Sequence, residues 1–453
     1  MARKLFGTDG VRGVAGELLS AELALALTHV ATAQLQVERP RVLIVRDTRE
    51  SGEMLQAAVA AGVAAAGGDA LLGGVLPTPA APLLLRRYGF DLAVVLSASH
   101  NPYQDNGIKF FGGDGYKLSD EAELAIEAGL DRAAELAAGA RGAAGPGGGP
   151  PAIGQVRELH GAGEDYLREL HTRFAGLDLD GLDVLLDCAN GATYALAPEI
   201  FTRLGAKVTL RAAAPDGRNI NDGCGSTHID ELARMVPAQG HDIGFAFDGD
   251  GDRVLAVDSR GEVVDGDELL ALAAAHLRAT GRLPGDGVAV TVMTNFGFHA
   301  AMEREGVEVA VTQVGDRYVL EALRERDWTL GGEQSGHIIM FEHATTGDGI
   351  LTSLQLLSAV HRRGTTMAAA AALMRKYPQV LVNVPGDASR LGPLVDAAVV
   401  RAETQLGGNG RVLVRPSGTE PAIRLMVQAA DAGLAEQVIG ELAAEVRLAL
   451  VGH

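Results

Sequence analysis

The chain has 453 residues, of which 47% are hydrophobic, enough material for several cores and a length prior of roughly three or four domains. A formal net charge of −19 excludes a nucleic-acid backbone or an anionic membrane as the main partner, because binding a polyanion requires a basic surface, so any anionic substrate must meet a local positive pocket. The two cysteines, Cys188 and Cys224, have neither metal-ligand spacing nor a disulfide framework, which points to a reducing compartment and hence the cytoplasm.

The N-terminal segment carries no apolar signal-peptide core, and no stretch reaches the ~18 consecutive apolar residues of a membrane span. After the loop Gly7 to Gly13, a helix is expected from about Ser20 to Leu35, then a buried strand Arg41 to Val45 with Arg46-Asp-Thr-Arg49 at its carboxyl end. A helix from Glu53 to Ala66, the Pro77-Thr-Pro79 turn and a further helix lead to the apolar run Leu92 to Leu96. That strand delivers LSASHNP, Leu96 to Pro102, where Ser99 is a candidate nucleophile at a strand end. Asn106-Gly107 reads as a hairpin-type turn that would fold Lys109 back toward the serine; only five of the 39 basic residues are lysines, so Lys109 stands out.

The Gly/Pro/Ala stretch from Ala137 to Gly154 holds no regular structure in this reading. It is either a surface loop of the first unit or the end of it. Two further α/β units follow, with strands at Asp183 to Asp187, Asp242 to Phe247 and Val288 to Met293, and a smaller unit closes the chain. Expected domains are 1–155, 156–258, 259–373 and 374–453. The fold class is α/β, and the strand-loop-helix rhythm of the first three units suggests one architecture used three times. Ligands then belong beyond the carboxyl ends of strands, where every motif falls.

In Asp248-Gly-Asp-Gly-Asp-Arg253 the carboxylates of Asp248, Asp250 and Asp252 recur with period two, which in an extended segment sends all three to one side. Three converging carboxylates repel unless a cation neutralises them, and hard oxygen ligands suit Mg²⁺. A calcium EF-hand is excluded, since its sixth position would be Arg253 and its twelfth Ser259. In Arg415-Pro-Ser-Gly-Thr-Glu-Pro421, Ser417 and Thr419 offer hydroxyls, Gly418 an accessible backbone and Arg415 a guanidinium fork, together an anion cradle to which Arg424 adds a charge or a surface ion pair. There is no G-K-[ST], so a P-loop is not indicated. In Gly331-Gly-Glu-Gln-Ser-Gly-His337, Glu333 and Ser335 alternate to one face and suit adjacent hydroxyls of a polyol; His337 organises the loop or moves a proton. A strand-end serine, a metal site, a polyol loop and a phosphate cradle together describe phosphoryl transfer on a phosphosugar.

These four motifs, in this order, resemble those of the α-D-phosphohexomutase superfamily over essentially the whole chain. SASHNP is similar to its phosphoserine loop, DGDGDR to its Mg²⁺ loop, GEQSGH to its sugar-specificity loop and RPSGTEP to its phosphate-binding loop. The opening FGTDGVRG and the Gln of GEQSGH resemble the branch that acts on amino-sugar phosphates, whereas phosphomannomutase/phosphoglucomutase relatives usually carry Met there. The resemblance implies four domains, three related α/β mixed-sheet domains and a smaller C-terminal α+β domain. It implies a phosphorylated Ser99 that completes the Mg²⁺ shell with the three aspartates and donates its phosphoryl to O1 of glucosamine 6-phosphate. The 1,6-bisphosphate then reorients and returns the O6 phosphoryl to Ser99, releasing glucosamine 1-phosphate. Of Lys109 and His100, Lys109, the match of an active-site lysine, is favoured to take the proton, with Arg12 and Arg253 balancing charge. Lys109 would need a lowered pKa, and nearby anions would do the opposite. Weighed beside the mutase are a Mg²⁺-dependent sugar phosphatase and a phosphosugar-binding protein; a homodimer is left open.

Overall fold

Short apolar runs become strands, and the Ala- and Leu-rich stretches between them become helices. In the computed structural model, which describes residues 4–7, 9–139, 153–386, 392–416 and 422–451, the strands form four sheets. The first has the order Val11–Val14, Asp105–Gly112, Leu92–Leu96, Arg41–Arg46, Asp69–Val75, Val156–Glu158. The second runs Val263–Val264, Val254–Asp258, Ile243–Phe247, Asp183–Asp187, Lys207–Arg211, and the third Glu308–Thr312, Gly287–Thr291, Leu330–Gly332, Ile338–Met340.

One device recurs in all three. Three parallel strands lie side by side, with Val156–Glu158 added as a fourth at the edge of the first sheet, and the third of them in sequence passes through a short loop into an antiparallel neighbour. Leu92–Leu96 turns into Asp105–Gly112, Ile243–Phe247 into Val254–Asp258, and Leu330–Gly332 into Ile338–Met340. The serine, aspartate and Glu333 motifs are these three loops. They occupy one topological position, beyond the carboxyl end of a parallel strand.

The fourth sheet is antiparallel, with Ala422–Ala429 between Gln379–Pro385 and Gly410–Pro416, and packs with the helices Pro393–Leu406 and Ala432–Val451. The predicted α/β fold class, with its smaller C-terminal α+β unit, is the observed one. One continuous core runs through the first three units, from Leu43 and Phe111 through Tyr166 and Phe245 to Leu272 and Leu354. The fourth unit has its own core, including Val384, Leu406, Val427 and Leu442. It meets the third through Gln428, whose Oε1 accepts the Phe296 N–H at 2.8 Å, and through Asn295, which donates to the Tyr377 carbonyl at 2.9 Å. Among the described residues no helix is long and apolar enough to cross a membrane.

Two expectations are corrected. Val156–Glu158, placed at the head of the second unit, pairs in parallel with Asp69–Val75 and extends the first sheet. The Gly/Pro/Ala stretch before it lies mostly outside the described residues; the helix Asp120–Gly139 covers its start. Asn106-Gly107 is no turn. It lies inside the strand Asp105–Gly112, which is paired on both sides, so sheet hydrogen bonding overrides the local turn preference. Asn106 instead donates to Ser51 Oγ at 2.9 Å. Gly107 is needed for close approach, since a Cβ there would lie 2.3 Å from the Ser97 carbonyl oxygen. Gly107→Ala is therefore expected to push the serine loop and cost roughly 1–3 kcal/mol of stability. Denaturant unfolding measures this, and an unchanged midpoint would show that the strand yields freely.

Candidate active site

Ser99 sits in the left-handed backbone region, with φ 53°, a conformation a non-glycine residue keeps only when its surroundings hold it. They do so here through its own amide and carbonyl. Its N–H donates to Ser97 Oγ at 2.9 Å. Its carbonyl accepts from Arg49 Nη2 at 3.2 Å and Asn221 Nδ2 at 2.9 Å, and the same two side chains bind the Asn101 carbonyl at 2.6 and 2.9 Å. Arg49 is fully buried and ion-paired with Asp47. The hydroxyl, so placed, donates to Asp248 Oδ2 at 2.5 Å.

Asp248, Asp250 and Asp252 are all buried, and one carboxylate oxygen from each lies within 4.8 Å of the others. An extended segment would not do this, because alternate residues are about 7 Å apart along a strand. The loop is instead a turn, with Gly251 at φ +71° and its N–H donating to the Asp248 carbonyl at 3.2 Å. Asp250 Oδ2 accepts from Lys109 Nζ at 2.8 Å and Thr78 Oγ1 at 2.7 Å. Asp250 Oδ1 and Asp252 Oδ1 are buried without a hydrogen-bond partner. Burial, with Asp252 and Asp250 beside it, raises Asp248 well above the usual carboxylate range. Unsatisfied buried carboxylate oxygens converging with a serine hydroxyl are the donor set for a hard divalent cation.

Lys109, on the strand Asp105–Gly112, is buried between Asp250 and Asp9, the latter at 3.0 Å. Burial opposes its charge, but Asp250 and Asp9 outweigh burial and hold its pKa above the ordinary lysine value. Of the two shifts the sequence left open, the structure gives the upward one. Arg12 pairs with Asp9 and donates to the Ala98 carbonyl at 3.3 Å. His100 Nδ1 lies 3.4 Å from Ser99 Oγ.

On the facing wall, Glu333 Oε1 accepts the Gly315 N–H at 3.1 Å, and Ser335 Oγ points to Glu333 Oε2 at 3.5 Å. His337 Nε2 accepts the Gly347 N–H at 3.0 Å, which leaves Nδ1 to face Asp252 Oδ2 at 3.5 Å. The bridge between Arg253 and His337 joins the second loop to the third. Together these residues bound a cleft of about 400 Å³ whose walls include Arg12, Ser99, His100, Arg253, Glu333 and His337.

Arg415 and Arg424 do not line that cleft. Directly opposite one another on neighbouring strands, they line a separate pocket of about 340 Å³ with Asn383, Met293 and Met426. Ser417, Gly418 and Thr419 lie outside the described residues. Sequence reasoning passed over Asp9, Arg49, Thr78, Asn221 and Asp316. Asp9, Arg49 and Thr78 lay in stretches already marked as loops or turns, a usable signal; Asn221 and Asp316 carried none beyond their type.

Residues 3–137, 164–261 and 265–377 match alpha/beta/alpha domains I, II and III described as phosphoglucomutase/phosphomannomutase, and residues 362–445 match the C-terminal domain of the same description. A phosphoglucosamine mutase of Moorella thermoacetica is 49% identical over 451 residues, covering 97% of this chain and 98% of the relative. One from Streptomyces avermitilis is 50% identical over 457 residues, with 99% of each chain covered. Among solved structures, a phosphoglucomutase/phosphomannomutase family protein of Burkholderia thailandensis superposes with a TM-score of 0.80 at 22% identity, over 98% of this chain and 97% of that one. The N-acetylphosphoglucosamine mutase of Aspergillus fumigatus, solved with GlcNAc-6P and magnesium, gives 0.69 at 18% identity over 99% of this chain and 96% of that one. The last two likenesses show the shared fold.

The His100 environment yields a measurable titration. Burial, then the nearby Arg253 and Arg12, push its pKa down from 6.5 to about 4. The neutral ring is the form the fold favours, so this group's contribution to stability is full above pH 6.5 and is lost as pH falls through about 4. NMR titration of the ring protons should show a midpoint near pH 4, and a midpoint at 6.5 would contradict this environment.

Proposed function

The chain belongs to the phosphoglucomutase/phosphomannomutase family, and from that premise we propose that it interconverts glucosamine 6-phosphate and glucosamine 1-phosphate, with Ser99 as the phosphoryl carrier. The observation that carries the chemistry is the Ser99 hydroxyl, 2.5 Å from Asp248, at the edge of three buried carboxylates with unsatisfied oxygens. The choice of sugar is supported by full-length relatives at about half identity that are phosphoglucosamine mutases. Four domains divide the work, with the first extended to include Val156–Glu158.

In the resting enzyme Ser99 carries a phosphoryl group. O1 of glucosamine 6-phosphate attacks the phosphorus, the P–Oγ bond breaks, and Ser99 regains a hydroxyl. The 1,6-bisphosphate reverses its orientation, Ser99 Oγ attacks the phosphoryl on O6, and glucosamine 1-phosphate leaves. Mg²⁺ bound by Asp248, Asp250 and Asp252 would neutralise charge on the transferring phosphoryl oxygens. Arg12 and Arg253 hold phosphate oxygens at the cleft. Lys109, kept cationic by Asp250 and Asp9, offsets the carboxylates rather than acting as base. The neutral His100, 3.4 Å from Ser99 Oγ, takes the proton of the accepting hydroxyl and returns it to the departing oxygen, Ser99 Oγ in the first transfer and O6 in the second. Glu333 and Ser335 read ring hydroxyls in either pose, and Arg415, Arg424, Ser417, Gly418 and Thr419 hold the distal phosphate. The free and buried Cys188 and Cys224 support a cytoplasmic location.

The deciding experiment supplies glucosamine, glucose and mannose phosphates with catalytic bisphosphate to the wild type and to Ser99→Ala. Glucosamine phosphate should be the preferred substrate, and Ser99→Ala should lose turnover while keeping its thermal midpoint. Release of inorganic phosphate without isomerisation would instead mark a phosphatase. Asp250→Asn should raise the Mg²⁺ concentration for half-maximal activity by about tenfold or more. An unchanged Mg²⁺ response would remove the metal assignment.

A further inference from the structure

One lysine beside the cleft has no part in the steps above. Lys117 lies just past the strand Asp105–Gly112 and sets its Nζ between Asp9 and Asp316, 2.5 Å from Asp316 Oδ2. Both carboxylates already serve the cleft. Asp9 pairs with Lys109 and Arg12, the cations on the Ser99 side. Asp316 begins the helix Asp316–Arg326 directly after Gly315, the residue whose N–H holds Glu333, and its Oδ2 lies 3.8 Å from His337 Nε2. Lys117 and Asp9 belong to the first unit and Asp316 to the third. An exposed ion pair would contribute little, but the Lys117 side chain is only 15% exposed. Burial opposes its charge, and Asp316 and Asp9 together outweigh burial and raise its pKa.

We infer that Lys117 is a positioning residue, resting on the mutase reaction proposed above: it fixes the spacing between the phosphoryl-transferring side at Ser99, Arg12 and Lys109 and the hydroxyl-reading wall at Glu333. Without the ammonium, Asp9 keeps Arg12 and Lys109 as counterions, while Asp316 faces a second anion. The segment carrying Gly315 and Asp316 then shifts, and Glu333 loses the amide that aims it. The two units stay docked, because the Arg324 guanidinium lies 4.7 Å from the Tyr116 ring centroid and Tyr116 packs on Phe341 at 5.8 Å. Removing Lys117 loosens one wall without parting the units.

The test compares full-length wild type, Lys117→Met and Lys117→Arg. Hydrogen exchange of the peptide spanning 313–318, measured without substrate, should be about tenfold faster in Lys117→Met and near wild type in Lys117→Arg. With glucosamine 6-phosphate, KM should rise about tenfold in Lys117→Met while kcat falls less, since Ser99 and its aspartates are untouched. Lys117→Arg should restore most of the KM. Adding Asp316→Asn to Lys117→Met should cost little more, because both act through one link. Unchanged exchange in Lys117→Met overturns the inference whatever the reaction, and so does faster exchange with an unchanged KM. An inactive wild type would overturn the mutase proposal alone, with the exchange comparison still deciding whether Lys117 holds the wall.

Discussion

Three carboxylates whose oxygens lie within 4.8 Å of one another, all buried, set the terms for the structure around them. At that spacing each pair repels by about 3 kcal/mol at an effective dielectric constant of about 20. A single ordinary hydrogen bond contributes only about 1 kcal/mol net, so hydrogen bonding alone does not hold the loop together. A cation must come from elsewhere in the chain, and Lys109 supplies it against Asp250, while the His337 Nδ1 side faces Asp252 and the Ser99 hydroxyl donates to Asp248. Ser99 and Lys109 come from the first unit, the aspartates from the second and His337 from the third. The site can exist only where the three units meet.

That requirement matches the way the sheets are built. Each of the first three ends a parallel strand in a motif-bearing loop and returns antiparallel, so three copies of one architecture aim three different motifs at one space. A core that runs unbroken through all three units keeps their relative positions fixed. The Ser99 backbone, held in a left-handed conformation by Arg49 and Asn221, depends on that rigidity, because Asn221 belongs to the second unit and reaches into the first. The fourth unit differs. It has a separate core and is linked to the third through Asn295, Tyr377 and Gln428, and the Arg415 and Arg424 pocket stands apart from the Ser99 cleft.

Much of the site's chemistry was legible because it is local. A serine after a buried strand, three aspartates spaced by glycines and Glu333 with Ser335 between glycines announce their roles by residue type and spacing. The strand rhythm also announced the repeated architecture. Geometry was less accessible. Period-two spacing suggested an extended aspartate segment, whereas Gly251 bends the loop into a turn, and the carboxylates converge more tightly than a strand allows. Asn106-Gly107 has the composition of a turn, yet the strand Val11–Val14 pairs with it on one side and the Ser97 N–H binds the Gly107 carbonyl on the other. The edge strand Val156–Glu158 pairs with Asp69–Val75 at the edge of the earlier sheet, a contact in space that its order in the chain does not announce.

By itself, the sequence determined the fold class and the order of the motif-bearing loops, since apolar periodicity, glycine placement and side-chain type act over a few residues. Tertiary structure alone decided which charges neutralise which. Asp9 with Lys109 and Lys117, Arg49 with the serine loop, and Lys117 with Asp316 are meetings between residues up to 199 positions apart. A Coulombic pair needs proximity in space and carries no signature in the local chain, so the protonation of Lys109 and the position of the Glu333 wall became visible only once the units were packed together.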